Sequence, residues 1–241
     1  GPAALAETFL DCLAGDDLRR QIVTEVVSGA VNHVGEDTPL GEFARTAVEL
    51  DEYFPGDPSI LAALMLNRIH LRPGEALAVP PGLLHSYLSG TGIEIMADSN
   101  NVVRGGLTDK HIDVDSLIEI VDFQTQEPWV MTAEEVDPGM RVFTGTDEQF
   151  RLWELDLDTT RPAILQASDL ARILLITGGY AVCASPQGSD EIVLGQAVWI
   201  PAGEQVQVDG NCDGFLAAAG VRRCPVWNSR ACERMDPWHT R

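Results

Sequence analysis

Three side chains in the middle of the chain have the types and spacing to bind a metal ion and an anion. His85 follows a Pro80-Pro81-Gly82 turn, and a neutral imidazole nitrogen is a common zinc ligand. Arg104 and Lys110 lie six residues apart, so one loop can present both cations. Arg suits the bidentate geometry of phosphate, and Lys offers a point charge. These residue types are compatible with a metal ligand and an anion-binding pair, although a lone His in a turn and an Arg in a loop are more often structural or solvated.

The overall charge makes this pair of cations unusual. The 241 residues carry 37 acidic and 16 basic side chains, a net charge of −21, and Lys110 is the only Lys. Such an acidic chain is repelled by nucleic acid and by anionic membranes, and no apolar run has the roughly 18 to 20 residues of a membrane helix. We expect a small-molecule partner, no nucleic acid and no membrane, while the oligomeric state stays open.

The cysteines and the first residues indicate a compartment. The five Cys form no CxxC pair and no secretory signal opens the sequence, which predicts free thiols in a reducing, cytoplasmic setting. Cys224, Cys232 and His239 have a spacing that fits no zinc module. The chain opens Gly1-Pro2 without Met, which fits a processing scar or a piece of a longer protein.

The chain has a first part with helical sequence patterns and a second part with strand patterns. Amphipathic stretches with capping residues predict helices in the first 67 residues, beginning near Ala3, Asp16, Thr38 and Ser59. From residue 68 onward, short alternating apolar stretches separated by Gly, Pro, Asp and Asn are typical of a β-sandwich or barrel. One helix is predicted at 114–123. Strands are predicted at 149–157, 171–177, 180–184, 197–200 and 214–221.

A nine-residue segment occurs twice in the β-rich part. Residues 74–82 and 195–203, which lie 121 residues apart, share Gly, Ala, a β-branched residue, Pro and Gly at the same places. The pattern predicts a strand, a Pro that ends its ladder and a Gly that turns the chain, as in a jelly roll. His85 follows the first copy where Val206 follows the second. We therefore expect one barrel to carry the chemistry and the other to be structural.

Three stretches around these residues resemble type I mannose-6-phosphate isomerase, a cupin family. They read PPGLLHSYLSG at 80–90, GIEIMA at 92–97 and SNNVVRGGLTDK at 99–110. The resemblance is dense from about residue 53 to residue 123 and weaker, in the same order, on either side. It implies a cupin catalytic domain interrupted by a helical insertion and followed by a second jelly roll.

The expected fold is therefore mainly β, with an N-terminal α-helical region and two cupin-like jelly-roll β-barrels. The predicted parts are a helical region (1–67), the second half of the catalytic barrel (68–125), a C-terminal jelly roll (126–221) and a tail (222–241). The Arg- and Cys-rich tail has no family counterpart that we can identify and is a candidate disordered segment.

The resemblance also implies a chemistry, the zinc-dependent interconversion of mannose 6-phosphate and fructose 6-phosphate. His85 is implied as a zinc ligand, Arg104 and Lys110 as catalytic and substrate-binding residues, and Tyr87 and Glu94 as substrate-binding residues that face the pocket. Such an isomerisation moves a proton between adjacent carbons through an enediolate, whose charge a divalent metal stabilises. Spacing does not decide which of Arg104 and Lys110 binds the phosphate.

The sequence departs from the family pattern in three places. The family's Ser-Asp-Asn is Ser99-Asn100-Asn101 here, and its Thr-Pro-Lys is Thr108-Asp109-Lys110. Its other zinc ligands, a Gln-x-His pair and a Glu in a Tyr-x-Asp-x-Asn-His-Lys-Pro-Glu stretch, have no match in the printed sequence. We therefore expect an incomplete isomerase, and the sequence does not predict activity for this chain alone.

Two other functions stay open. A non-catalytic cupin could bind a sugar phosphate without converting it. A metal-dependent bicupin of the oxygenase kind ranks last, because that class needs several His and a carboxylate within its motifs and only His85 is present.

Overall fold

The computed structural model describes residues 1–96, 102–145 and 149–220, and these form two compact units. The described part of the first unit consists of residues 1–70, 79–90 and 102–128. The described part of the second consists of residues 71–78, 91–96, 129–145 and 149–220. The predicted tail at 222–241 and the Ser-Asn-Asn motif lie outside the described residues. The predicted domain boundaries stay a prediction.

Helices dominate the first unit. Its described residues contain α1 (Pro2–Leu13), α2 (Asp17–Ala30), α3 (Pro39–Tyr53), α4 (Ser59–Ala63) and α5 (Val114–Ile120). Across the described ranges of the chain, no helix has the length and apolar character needed to cross a membrane.

Side-chain caps determine where three of these helices begin. Asp16, Thr38 and Asp113 are the N-cap residues, and the side-chain oxygen of each accepts the backbone N–H three residues further on, at 2.9, 3.1 and 3.1 Å. A capping oxygen satisfies one of the N–H groups that the first turn of a helix leaves without an internal partner. The capped starts predicted near Asp16 and Thr38 are confirmed.

Strands dominate the second unit. A two-stranded sheet pairs β1 (Glu75–Leu77) with β2 (Val130–Thr132). The other strands form one antiparallel sheet and are β3 (Glu134–Asp137), β4 (Met140–Phe143), β5 (Phe150–Leu157), β6 (Ala163–Leu165), β7 (Arg172–Ser185), β8 (Gly188–Val193), β9 (Ala197–Ile200) and β10 (Val206–Ala219).

The large sheet is built around the pair of 14-residue strands β7 and β10. The strand order is β3-β4-β5-β10-β7-β8, with β6 also paired to β10 and β9 to β7. Inward side chains of these strands form one hydrophobic core that includes Leu155, Leu174, Ile176, Val208 and Leu216, each at most 1% exposed. Alternation of buried and outward residues along a strand places one apolar face over this core.

Two predicted strands are a single strand in the structure. The expected strands at 171–177 and 180–184 join within β7, because Gly178 and Gly179 continue the ladder to β10 instead of turning. The register shifts between Asp213 and Gly214, which marks a β-bulge.

The described residues between β1 and α5 form no helix or strand. Alternating apolar residues in this stretch predicted strands, but a strand needs a partner for its backbone groups and no described segment pairs with these residues. The described sheets are also not closed into barrels. The structure therefore confirms a mainly β fold with N-terminal helices, and the two barrels stay a prediction.

The repeat recurs in the backbone geometry. Gly74 and Gly195 both have φ = 83°, and Gly82 and Gly203 have φ = 84° and 81°. In each copy, the N–H of the second residue donates to the carbonyl three residues earlier at 2.9 Å. The residue that follows the last Gly donates its N–H to the Pro carbonyl at 3.3 Å. Positive φ favours glycine because other residues carry a clashing Cβ. The repeat is therefore a repeat of local structure as well as of sequence.

Candidate functional site

The turn at the end of the first repeat positions His85. The Leu83 N–H donates to the Pro80 carbonyl at 3.3 Å, and the Gly82 carbonyl accepts the Asp122 N–H at 2.9 Å. A Cβ at Gly82 would lie 2.7 Å from the carbonyl oxygen of the last residue of α5. Only glycine therefore lets the turn approach the end of α5 this closely.

A backbone contact selects the tautomer of His85. Its Nδ1 lies 3.0 Å from the Leu83 carbonyl oxygen, and a carbonyl can only accept, so Nδ1 carries the hydrogen. The Nε2 lone pair is then available to a metal ion, an arrangement common among histidine ligands. The rings of His85 and Tyr87 meet edge to face with centroids 6.1 Å apart. Both side chains are exposed, that of Tyr87 at 74%.

Core packing holds the loop that carries the two predicted cations. Val103 packs on the hydrophobic cluster around Phe9 and Leu117. Leu107 packs on a second cluster, formed by Val23, Leu50 and Ile60. Arg104 and Lys110 are exposed. The partly buried apolar side chains thus anchor the loop while the charged ones stay in solvent.

The same two clusters bring the His85 segment to this loop. Leu84 packs on the cluster that contains Val103, and Leu88 packs on the cluster that contains Leu107. A Cβ at Gly105 would lie 2.8 Å from Cδ2 of Leu84. The residues next to His85 and Arg104 in the chain therefore touch, so the segment that carries His85 and Tyr87 packs against the loop that carries Arg104 and Lys110.

The fifth predicted site residue, Glu94, belongs to the second unit. It is exposed and lies in the 91–96 segment, outside any helix or strand. Its role stays a prediction.

A cleft of about 610 Å³ opens elsewhere in the first unit. Its wall includes Cys12, Arg20, Tyr53, Ser59, Thr108 and Asp109. Burial, with a smaller effect from Asp11, raises the pKa of the Cys12 thiol, so this wall of the cleft presents a neutral group at pH 7. None of the predicted site residues lines the cleft. Two residues of its wall, Thr108 and Asp109, nevertheless lie on the same loop as Arg104 and Lys110.

The metal-binding capacity of the described ranges is limited. No group of three or more His, Cys, Asp or Glu side chains there is arranged to hold a metal ion. A protein zinc site uses three or four such ligands. The tautomer of His85 allows it to supply one ligand through Nε2, but the described residues do not provide the others that a zinc site needs.

Two residues that the motifs did not single out hold the loop from inside. The hydroxyl of Ser59 accepts the Leu107 N–H at 2.8 Å and donates to Asp57 Oδ1 at 2.7 Å. Asp57-Pro58-Ser59 is recognisable in sequence only as a turn before a helix. The bond to Leu107 spans 48 residues and has no local signal.

Comparisons with known proteins agree with the motifs. No protein-family model matches the chain. The mannose-6-phosphate isomerase of Salmonella typhimurium is 34% identical over 216 residues, which are 88% of this chain and 53% of that protein. A probable mannose-6-phosphate isomerase of Caenorhabditis elegans is 33% identical over 186 residues, 76% of this chain and 43% of that protein. The chain spans about half the length of the curated relatives it matches.

A solved structure gives the same result for the fold. The crystal structure of the Salmonella typhimurium isomerase bound to substrate and zinc matches 92% of this chain and 55% of that one, with a TM-score of 0.75. Its sequence identity of 23% in this alignment supports the fold alone. The resemblance of the chain to mannose-6-phosphate isomerases is thereby confirmed over most of its length.

Proposed function

We propose that this chain, which resembles mannose-6-phosphate isomerases over about half of their length, contributes to a zinc-dependent isomerase of mannose 6-phosphate and fructose 6-phosphate. The observation that carries the proposal is the 34% identity over 88% of the chain. Within this chain, the motif residues His85, Arg104 and Lys110 lie on two segments that pack on the same hydrophobic clusters.

The metal of the proposed enzyme is zinc. When bound, zinc would stabilise the negative charge that develops on the substrate oxygens. Nε2 of His85 supplies one ligand, and the remaining ligands would belong to the part of the enzyme that this chain does not span. The zinc bound in the solved relative supports this assignment.

Arg104 and Lys110 provide the positive charge for the phosphate or for the enediolate oxygens. Both side chains are exposed on a loop whose backbone is anchored in the core, and a desolvated anion needs compensating charge. Tyr87, beside His85, is proposed to contact the sugar, and Glu94 is proposed as a further substrate-binding residue. The likeness to the family supports these two roles.

The finer architecture belongs to the same proposal. The repeated turn supports two cupin-like jelly rolls, with residues 68–125 in the catalytic barrel and residues 126–221 in the second. A cytoplasmic location is also proposed, since the buried cysteines Cys12, Cys183 and Cys212 are free thiols, as expected in a reducing compartment.

Substitution of the two cations tests the function. Isomerase activity is measured on the natural protein that contains this sequence, loaded with zinc. Charge-assisted hydrogen bonds contribute about 1.5 to 3 kcal/mol each, so Arg104→Ala should lower kcat/KM by about ten- to a hundredfold. A rise in KM alone indicates phosphate binding, whereas a fall in kcat indicates stabilisation of the enediolate. Lys110→Arg should keep partial activity if Lys110 acts only through its charge.

Arg161→Ala is the matched control, because Arg161 is an exposed arginine of the second unit paired with Asp158, and it should leave kcat/KM unchanged. Near-native kinetics for both Arg104→Ala and Lys110→Ala would remove these residues from the site. Binding of mannose 6-phosphate without conversion by the zinc-loaded protein would favour the non-catalytic cupin.

A further inference from the structure

We propose that Ser59, with its hydroxyl oriented by Asp57, is a positioning residue for the loop that carries Arg104 and Lys110. The inference rests on the proposed function, because that function gives a reason for fixing this loop. It concerns residues that lie more than forty positions away from the loop in the sequence.

The middle of the loop has an unfavourable backbone. Leu107 has φ = 47°, and it is the only residue other than glycine with positive φ in the described ranges. This left-handed conformation brings a Cβ close to the neighbouring carbonyl oxygen, so a leucine holds it only where its surroundings enforce it. Some contact outside the loop must therefore stabilise this conformation.

The hydroxyl of Ser59 provides that contact. It accepts the Leu107 N–H at 2.8 Å and donates its own proton to Asp57 Oδ1 at 2.7 Å, and the same carboxylate oxygen accepts the Ser59 N–H at 2.9 Å. Because the hydroxyl proton is directed to the carboxylate, a lone pair is left for Leu107. Ser59 is 4% exposed, so water competes little for these bonds.

Close packing leaves the loop little freedom at this point. A Cβ at Gly106, where φ = 132°, would lie 2.5 Å from Cβ of Ser59. The Leu107 side chain packs on the cluster of Val23, Leu50 and Ile60. A glycine and a half-buried leucine thus hold the backbone against the start of α4, midway between Arg104 and Lys110.

The functional consequence is preorganisation. Arg104 and Lys110 have long, exposed side chains, and binding an anion with both requires their backbones to keep a fixed separation. A loop that is already fixed loses less entropy on binding. Removal of the Ser59 hydroxyl leaves the Leu107 N–H without its partner, so the loop should relax and the anion should bind less tightly.

Hydrogen exchange at one amide tests the contact directly. In the wild-type chain the Leu107 amide should be protected, and in Ser59→Ala its exchange should be at least about tenfold faster by NMR. Ser116→Ala is the matched control, because Ser116 Oγ donates to Asp113 at 2.7 Å at the start of α5, and it should leave the Leu107 amide protected. An unprotected Leu107 amide in the wild-type chain would overturn the inference without any variant.

Affinity separates positioning from general stability. Mannose 6-phosphate is titrated into the zinc-loaded natural protein, and Ser59→Ala should weaken its binding by about tenfold, the loss expected for one neutral hydrogen bond. Ser116→Ala should leave binding unchanged, even where both variants lower the thermal midpoint equally. Native affinity in a folded Ser59→Ala protein would overturn the inference. Absence of binding by the wild-type protein, with loop exchange still controlled by Ser59, would overturn the proposed function and support the structural role of Ser59.

Discussion

The turns that close the two repeat copies differ in the side chain that donates to an equivalent backbone carbonyl. In the first copy, Nδ1 of His85 donates to the Leu83 carbonyl at 3.0 Å. In the second, the equivalent carbonyl of Glu204 accepts from the Arg172 guanidinium at 2.7 Å. Arg172 is 5% exposed, and burial lowers its pKa. The turn carbonyl of the first copy therefore accepts from an exposed imidazole, whereas that of the second accepts from a buried guanidinium that also donates to the Gln166 carbonyl at 2.8 Å.

Asp158 gives a prediction about acid stability. Bonds from the Thr160 hydroxyl at 2.5 Å, from Arg161 Nε at 2.8 Å and from the Thr160 N–H at 2.8 Å lower the pKa of this carboxyl to about 2. Because the folded state favours the carboxylate, its contribution to stability is complete above the unfolded pKa of roughly 3.9 and is lost as the pH falls through about 2. Asp158→Asn should lower the unfolding midpoint at pH 7.

The difference in unfolding midpoint between wild type and Asp158→Asn, followed from about pH 7 to about pH 2, should shrink only below about pH 4. Thr160→Ala, which removes the largest cause of the shift, should raise the Asp158 pKa in an NMR titration. A difference in midpoint that stays constant over this whole range would contradict the assignment.

At the scale of elements, the β7–β10 ladder includes glycines that a side chain cannot replace without a shift, and Gly179 makes the closest approach. Gly179 has φ = 66°, and a Cβ there would lie 1.9 Å from the Asn211 carbonyl oxygen on β10. The close approach occurs beside the bulge at Asp213 and Gly214. Neither the backbone conformation nor the distance can accommodate a side chain without a shift of the ladder.

Gly179→Ala should therefore destabilise the protein by at least about 2 kcal/mol, from left-handed strain and from the clash. Gly195→Ala is the control, because Gly195 has φ = 83° but no atom lies within 4 Å of the place that a Cβ would take. It should cost only the conformational part, about 1 kcal/mol. Equal losses in urea unfolding would show that the contact with Asn211 contributes nothing.

At the scale of the molecule, the zinc content tests how much of the metal site the chain contains. The described residues hold no cluster of three ligands, so the chain alone should retain well under one zinc per molecule after dialysis, by metal analysis. His85→Ala should retain as little. Equimolar zinc that is lost in His85→Ala but kept in a Cys224→Ser/Cys232→Ser double variant would show that this chain completes the site by itself.

The sequence by itself determined the features that depend on neighbouring residues. The N-caps Asp16 and Thr38, the strand at 197–200 and the glycine turns of the repeat were all predicted correctly, because the bonds that define them close within a few residues. The motif around His85 and Arg104 was recognisable for the same reason. It has a fixed local spacing, and the comparisons confirmed the resemblance that it carries.

Only the tertiary structure decided which segments meet. The continuity of β7 across Gly178 and Gly179 depends on β10, some thirty residues later in the chain. The described residues between β1 and α5 form no strand, because none of the described segments pairs with them. The bond from Leu107 to Ser59 spans 48 residues. Such contacts form between residues whose types are unremarkable in their own windows, because packing and hydrogen bonding act on distance in space, whereas local patterns record only distance along the chain.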